Sequence, residues 1–230
     1  MSLLKRIKEV GSDDPLAKGA MNICLNPYSY LVVRNKKEIY QNADNIFIDG
    51  QWLCHFLKWA GVKQLDRVSF DNTSLAPIVF SKAENENKRV AVIGSDVESN
   101  AKFKAYLKET YPNLNLVIMR DGYFDNKEEI NIANQIIDND IDYVIAGMAT
   151  PKQEHFLIKL KDLGWQGQGY TCGGFIHQTA NKGHEYYPSM INKLNLRFAY
   201  RIYDEPKLMK RYFIEYPKFV FQYAYDYIKL

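Results

Sequence analysis

The stretch Ile141-Asp142-Tyr143-Val144-Ile145-Ala146-Gly147, followed by Pro151-Lys152-Gln153-Glu154 and then His155-Phe156-Leu157-Ile158, decides the fold. It reads as an apolar strand, a tight turn and the start of a helix. In an open α/β sheet, ligands bind in the crevice at the carboxyl ends of the strands. A polar cluster at such a junction is a candidate site on position alone.

The same alternation extends outward. Residues 45–49 read as a strand and 51–60 as a helix. Residues 89–93 form a short buried strand, with Gly94 after it and a helix over about 98–109. Residues 114–119, 141–146 and 168–172 are further strands, separated by helices over 128–137 and 151–163. Apolar runs of about five residues alternating with amphipathic helices predict an α/β fold, a Rossmann-like, mostly parallel sheet flanked by helices.

The character of the chain changes near Tyr186-Tyr187-Pro188. Three helices are expected beyond it, starting at Pro188-Ser189, at Asp204-Glu205-Pro206 and at Pro217. Tyrosines and phenylalanines are interleaved there with Arg197, Arg201, Lys207, Lys210, Arg211 and Lys218. Such a mixture suits a membrane interface, or a helical layer packing its rings on the sheet. The expected organisation is therefore an α/β core over residues 1–187 and a C-terminal helical, membrane-engaging appendage over 188–230.

Composition sets bounds. A chain of 230 residues, 47% hydrophobic and 25% charged, is globular and can bury a core. A net charge of +3 gives no reason to expect nucleic acid as a partner. Cys24, Cys54 and Cys172 are widely spaced and odd in number, as in a reducing compartment. Met1-Ser2-Leu3-Leu4-Lys5-Arg6 begins no long apolar segment, and no run reaches the roughly 18 to 20 apolar residues of a membrane span. The expectation is a cytoplasmic protein, peripheral on the cytosolic face of the inner membrane. An aromatic tail could also be buried between copies in a homo-oligomer.

Several residues could carry chemistry. Asp49, before Gly50 at a strand end, is either a general base or a cap for the next helix. Thr150-Pro151-Lys152-Gln153 fits a capping box, with Thr150 at the cap and Gln153 at N3. The same helix start could instead present Gln153 and Glu154 to a base or sugar. Asn26, before Pro27, could bind a sugar hydroxyl or close an Asx-turn. Gly94-Ser95-Asp96 lacks the G-x-G-x-x-G fingerprint of dinucleotide enzymes. Asp138-Asn139-Asp140 looks like a metal-binding D-x-D, but it precedes a strand and so reads as a turn on the side away from the crevice. His55, His155, His177 and His184 have no metal-ligand spacing, with His155 and His177 expected near the pocket.

Taken in order, these elements resemble the WecG/TagA/CpsF family of bacterial glycosyltransferases, glycosyltransferase family 26, from about residue 22 to 216. Asn26 fits the family's T-x-N, Ile48-Asp49-Gly50 its P-D-G, and residues 89–94 its strand-Gly element. Asp121-Gly122-Tyr123-Phe124 fits its G-Y-F, and residues 147–154 its G-x-x-x-P-K-Q-E. Residues 196–201 with Glu205-Pro206 fit its L-E-W-L-Y-R…E-P. The resemblance implies metal-independent, inverting transfer from a UDP-sugar to a sugar on a polyprenyl diphosphate at the cytosolic membrane face, with no cofactor. It gives Asp49 the role of catalytic base and Gln153 that of a pocket glutamine. Arg201 and Arg211 would hold diphosphate. Asn26, Gly94, Tyr123 and Glu154 join them as substrate-binding positions.

The chain departs from the family at Cys24 (threonine in T-x-N), Leu208 (an arginine), Ile176 (an aspartate) and Tyr186-Tyr187 (R-A of R-A-P). These changes bear on donor sugar and acceptor, and they keep a second class open: a non-catalytic nucleotide-sugar-binding or scaffolding subunit of a membrane-surface assembly. A Rossmann-like epimerase or dehydrogenase is disfavoured by the missing glycines.

Overall fold

A computed structural model describes residues 1–14, 18–62, 65–183, 191 and 197–230, the side chains of 197–199, 201 and 207 excepted. The six strands are β1 (Met21–Leu25), β2 (Asn45–Ile48), β3 (Val90–Gly94), β4 (Leu116–Arg120), β5 (Tyr143–Gly147) and β6 (Gln168–Thr171). They form one sheet in the order β2-β1-β6-β5-β3-β4, and every pairing is parallel. The central strands β3 and β5 are buried along their whole length, which is why they read as unbroken apolar runs, while β4 at the edge is partly exposed.

Side chains alternate between two cores, as the two-residue period of a strand requires. Ile23, Leu25, Ile46, Ile48, Ala91, Ile93, Val144 and Ala146 face the first. Phe47, Val90, Val92, Tyr143, Ile145 and Tyr170 face the second. The first face is covered by α1 (Leu3–Val10), α2 (Pro27–Val33), α3 (Lys37–Asn42), α4 (Gln51–Trp59), α7 (Asn126–Asp138) and α8 (Lys152–Asp162). The second is covered by α5 (Leu75–Asn85), α6 (Val97–Thr110) and α9 (Phe175–Lys182). Asp138-Asn139-Asp140 is the expected turn, ending α7 ahead of β5 at the amino edge of the sheet.

The boundary expected near residue 188, and the helix expected from Ser189, lie outside the described residues. Beyond them come α10 (Arg197–Asp204), a 3-10 turn (Pro206–Leu208), a π-helical turn (Arg211–Glu215) and α11 (Tyr216–Ile228). Pro206 opens only the short turn, and Pro217 sits in the first turn of α11 as read from sequence.

The aromatics of α11 divide. Phe219 and Tyr223 are buried in the first core. The Phe219 ring meets Tyr30 and Phe56 edge-on at 5.4 Å each, and Tyr223 Oη donates to Phe56 O at 2.8 Å. Asp226 accepts from Tyr30 Oη and Arg34 Nε at 2.9 Å and from Arg34 Nη2 at 2.5 Å. Burial, followed by the Asp226 charge, pushes the Tyr30 phenol far above its usual range, so it stays a donor. Phe213, Phe221, Tyr225 and Tyr227 are exposed. Both sequence readings of the tail thus describe part of it.

At the carboxyl edge the central strands approach too closely for side chains. A Cβ on Gly94 would lie 2.5 Å from Gly147 O, and one on Gly122 would lie 2.8 Å from Met148 Cγ. Since backbone cannot yield as a side-chain tip can, Gly94→Ala should cost about 3 kcal/mol. Phe219→Ala should cost about the same through the cavity it leaves. Urea unfolding checks both: the midpoint should fall at unchanged slope.

Candidate active site

The loops that follow the strands are stitched to one another in strand order along the carboxyl rim. Asp49 N donates to Leu25 O at 2.7 Å, joining the ends of β2 and β1. Cys24 N donates to Thr171 Oγ1 at 2.9 Å, joining β1 to β6. Gly173 N donates to Gln153 Oε1 at 3.2 Å, joining the loop after β6 to the start of α8. Ser95 N donates to Gly147 O at 3.1 Å, and Gly122 N to Ser95 O at 2.9 Å. Lys152 Nζ closes the series on Gly122 O at 2.7 Å and stands 4.0 Å from the Phe124 ring. Asp49, Asn26, Gly94, Tyr123 and Gln153, read from five separate segments, all fall on this rim.

The start of α8 differs from the capping box expected there. Pro151 occupies the cap position, and no side chain caps the helix. Thr150 Oγ1 instead donates to Glu154 Oε1 at 2.9 Å. Gln153 Nε2 donates to the same oxygen at 2.9 Å, which leaves Gln153 Oε1 to take the Gly173 N–H. Partners on the loop after β6 and within the turn outcompete the local box. Gln153 and Glu154 are both buried, and Glu154 Oε2 has no hydrogen-bond partner. Burial raises the Glu154 carboxyl above its ordinary 4.5, against the lowering effect of Gln153 and Thr150.

Asp49 does not serve as the cap of α4; that position is Gly50, which has no side chain to offer. The Asp49 side chain is 37% exposed, and Arg67 Nη2 reaches its Oδ1 at 3.5 Å. The same nitrogen makes shorter contacts with Asp71 Oδ2 (2.7 Å) and Ser69 Oγ (2.5 Å), and Ser69 Oγ donates to Asp71 Oδ2 at 2.6 Å. Burial alone would raise the Asp71 carboxyl. Arg67, then Ser69 and Thr73, hold it below its usual value instead. Arg67 and Asp71 escaped the sequence reading because residues 61–74 carry no helical or strand period. The one available signal was a cation two residues before Ser69-Phe70-Asp71.

Asn26 makes the turn of the two alternatives. Its Oδ1 accepts from Tyr28 N and Ser29 N at 3.0 Å each, while Asn26 N donates to Ser29 Oγ at 2.8 Å. Arg211 lies over the Tyr28 ring, 4.2 Å from its centroid, so this cation stands beside the Asn26 cap. The backbone of Arg201 lies in α10, and its side chain is outside the described residues. Tyr123 is 77% exposed on the loop after β4. Burial, with Asp49 adding to it, pushes the Cys24 thiol well above its ordinary range, so it stays protonated.

His177 meets Ser99 Oγ at 3.0 Å and Asp96 Oδ2 at 3.6 Å, at the helix starts after β3 and β6. Asp96 caps α6, and the Ser99 N–H leads in holding its carboxyl near 2. His155 points elsewhere, to Glu38 on α3 at 3.4 Å. Among the described residues no three His, Cys, Asp or Glu side chains could hold a metal ion.

A parallel sheet with its polar groups gathered on the carboxyl rim fits transfer of a group between two bound substrates, and comparison with known proteins gives the chemistry. Residues 3–229 match the glycosyl transferase WecG/TagA/CpsF family. Over 222 residues the chain is 32% identical to a UDP-Gal:alpha-D-GlcNAc-diphosphoundecaprenol beta-1,4-galactosyltransferase of Shigella boydii, covering 95% of this chain and 92% of the relative. Over 206 residues it is 25% identical to an N-acetylglucosaminyldiphosphoundecaprenol N-acetyl-beta-D-mannosaminyltransferase of Bacillus spizizenii, covering 88% and 78%. The chain belongs to the WecG/TagA/CpsF family and is a glycosyltransferase.

Proposed function

We infer that this enzyme transfers a sugar from a UDP-sugar to the sugar of a polyprenyl-diphosphate-linked acceptor, with inversion and without a metal, in the synthesis of a cell-surface polysaccharide. What supports the reading is the assembly of Asp49, Gly94 and Gln153 on one rim in a chain similar to two transferases named for diphosphoundecaprenol-linked acceptors. β2 and β5 stand three strand spacings apart, about 14 Å, which leaves room for a sugar nucleotide between Asp49 and Gln153.

In the proposed reaction the acceptor hydroxyl gives its proton to an Asp49 carboxylate oxygen as its own oxygen bonds to the anomeric carbon. The bond from that carbon to the diphosphate breaks on the opposite side, and UDP departs with the electron pair. Arg67 keeps Asp49 oriented through its long contact while Asp71 takes the shorter one. Arg211 and Arg201 meet the diphosphate and stabilise the leaving charge. The exposed Tyr123 ring offers a face to the donor, and Gly94 keeps the ends of β3 and β5 close on the rim that receives it. Asn26 fixes the start of α2 beside Arg211. The C-terminal helices hold the protein on the cytosolic face of the inner membrane; among the described residues no helix is long and apolar enough to cross it.

Glu154 acts through Gln153. Glu154 Oε1 accepts from Gln153 Nε2, and this turns Gln153 Oε1 toward Gly173.

Two measurements follow. Asp49→Asn should lower the rate of transfer to a lipid-diphosphate acceptor by on the order of 10² or more with binding of UDP retained; an unchanged rate removes Asp49 as base. Because the folded state raises the Glu154 pKa, its favourable contribution is complete below about 4.5 and declines as pH climbs through the folded value. The Tm of Glu154→Gln should therefore gain on wild type as pH rises above that point and then level off. A gap that narrows with pH would mean an ionised, paired carboxylate.

A further inference from the structure

The outer face of α4 has no role in the transfer reaction. Trp52, His55 and Trp59 recur at i, i+3 and i+7, one stripe of the helix, and all three are exposed. Trp52 is 56% and Trp59 83% exposed. The opposite side of the helix buries Leu53, Cys54 and Leu57 in the first core, so the stripe faces directly away from the sheet.

This stripe reaches α11 through Phe56. Phe56 touches Trp59 at 5.8 Å on one side, and Phe219 and Tyr223 at 5.4 Å on the other. Beyond that seam α11 turns Phe221, Tyr225, Tyr227 and Ile228 outward. The charges are one-sided. α4 carries Lys58 and no acid. From residue 206 onward the acids are Glu215 and Asp226. Glu215 is paired with Lys218, and Asp226 with Arg34. What these two helices turn outward is mainly aromatic and cationic, with the exposed Asp66 as an acid near α4.

We propose that α4, through Trp52 and Trp59, is half of a lipid-docking face whose other half is α11, and that it binds an anionic bilayer with both helices lying in the headgroup plane. Tryptophan favours that boundary, where the ring meets acyl chains and the indole N–H meets water, and the flanking lysines match anionic headgroups. The proposal rests on the membrane reading above but moves the contact from the tail alone onto the core. It also orients the site. Trp52 follows Asp49 by three residues, so the rim bearing the proposed base opens at the edge of the docked face, where a lipid-linked hydroxyl arrives.

The test uses the full chain with phosphatidylcholine vesicles, with and without phosphatidylglycerol. Of the three tryptophans, Trp165 is buried, so a change in emission on binding reports Trp52 and Trp59. Wild type should sediment with the anionic vesicles and shift its emission to the blue, and added salt should weaken binding. Trp52→Ser with Trp59→Ser should lose about tenfold in partition while keeping the wild-type Tm. Transfer to a short-chain, water-soluble acceptor should be unchanged. Wild-type binding with no blue shift, or equal binding by the double variant, overturns the proposal and leaves the tail as sole anchor. No vesicle binding by wild type overturns the membrane reading itself. A wild-type dimer that becomes monomeric in the double variant, with vesicle binding intact, overturns the proposal by showing the face to be a contact between copies.

Discussion

The carboxyl rim depends on a constraint of space at Gly94 and Gly147. The missing side chain of Gly94 lets β3 end so close to the Gly147 backbone of β5 that Ser95 N reaches Gly147 O at 3.1 Å. That bond in turn positions Ser95 O for Gly122 N, and the loop held there receives Lys152. A side chain at Gly94 would push these apart and undo the link between α8 and the loop after β4. The helix that carries Gln153 is thus placed as much by Gly94 on another strand as by its own sequence.

The other end of the rim is governed by charge. Arg67 meets two carboxylates with one nitrogen, and the distances are unequal: 2.7 Å to Asp71 and 3.5 Å to Asp49. Hydrogen bonds to charged groups strengthen as they shorten. Asp71, backed by Ser69, takes most of the guanidinium, and Asp49 is oriented by a weaker contact at a partly exposed position. The base role proposed for Asp49 suits that compromise, since a carboxylate locked in a short ion pair would be a poor proton acceptor.

The sheet was legible because burial on both faces leaves the central strands β3 and β5 no choice but apolar residues, and turns at their ends must be polar. For the same reason Asp49, Gly94 and Gln153 could be read as one edge before any contact was known. The misread features have a common cause. Thr150 and Gln153 fit a capping box locally, yet their partners are Glu154 and a backbone group on the loop after β6, which no local pattern encodes. Arg67 and Asp71 lie in a segment without period, and their meaning comes from Asp49, 18 positions upstream of the arginine. In the tail, aromatic content was visible but the division between Phe219, which packs on Tyr30, and Phe221, which faces outward, depends on where α2 and α4 lie.

That division bears on why the reaction would sit at this end of the sheet. α2 and α4 follow β1 and β2, and α11 packs on both, so the first face gathers its apolar surface around the strands nearest Asp49. The glycine-rich end of the rim, at β3, β5 and β4, lies at the other side of the sheet. In the proposed reaction the two substrates differ in the same sense. The acceptor carries a long hydrocarbon, and the donor is a soluble anion. A rim whose base adjoins an apolar helix face, and whose close backbone approach lies three or more strands away, separates the two by their solubility before any specific contact forms.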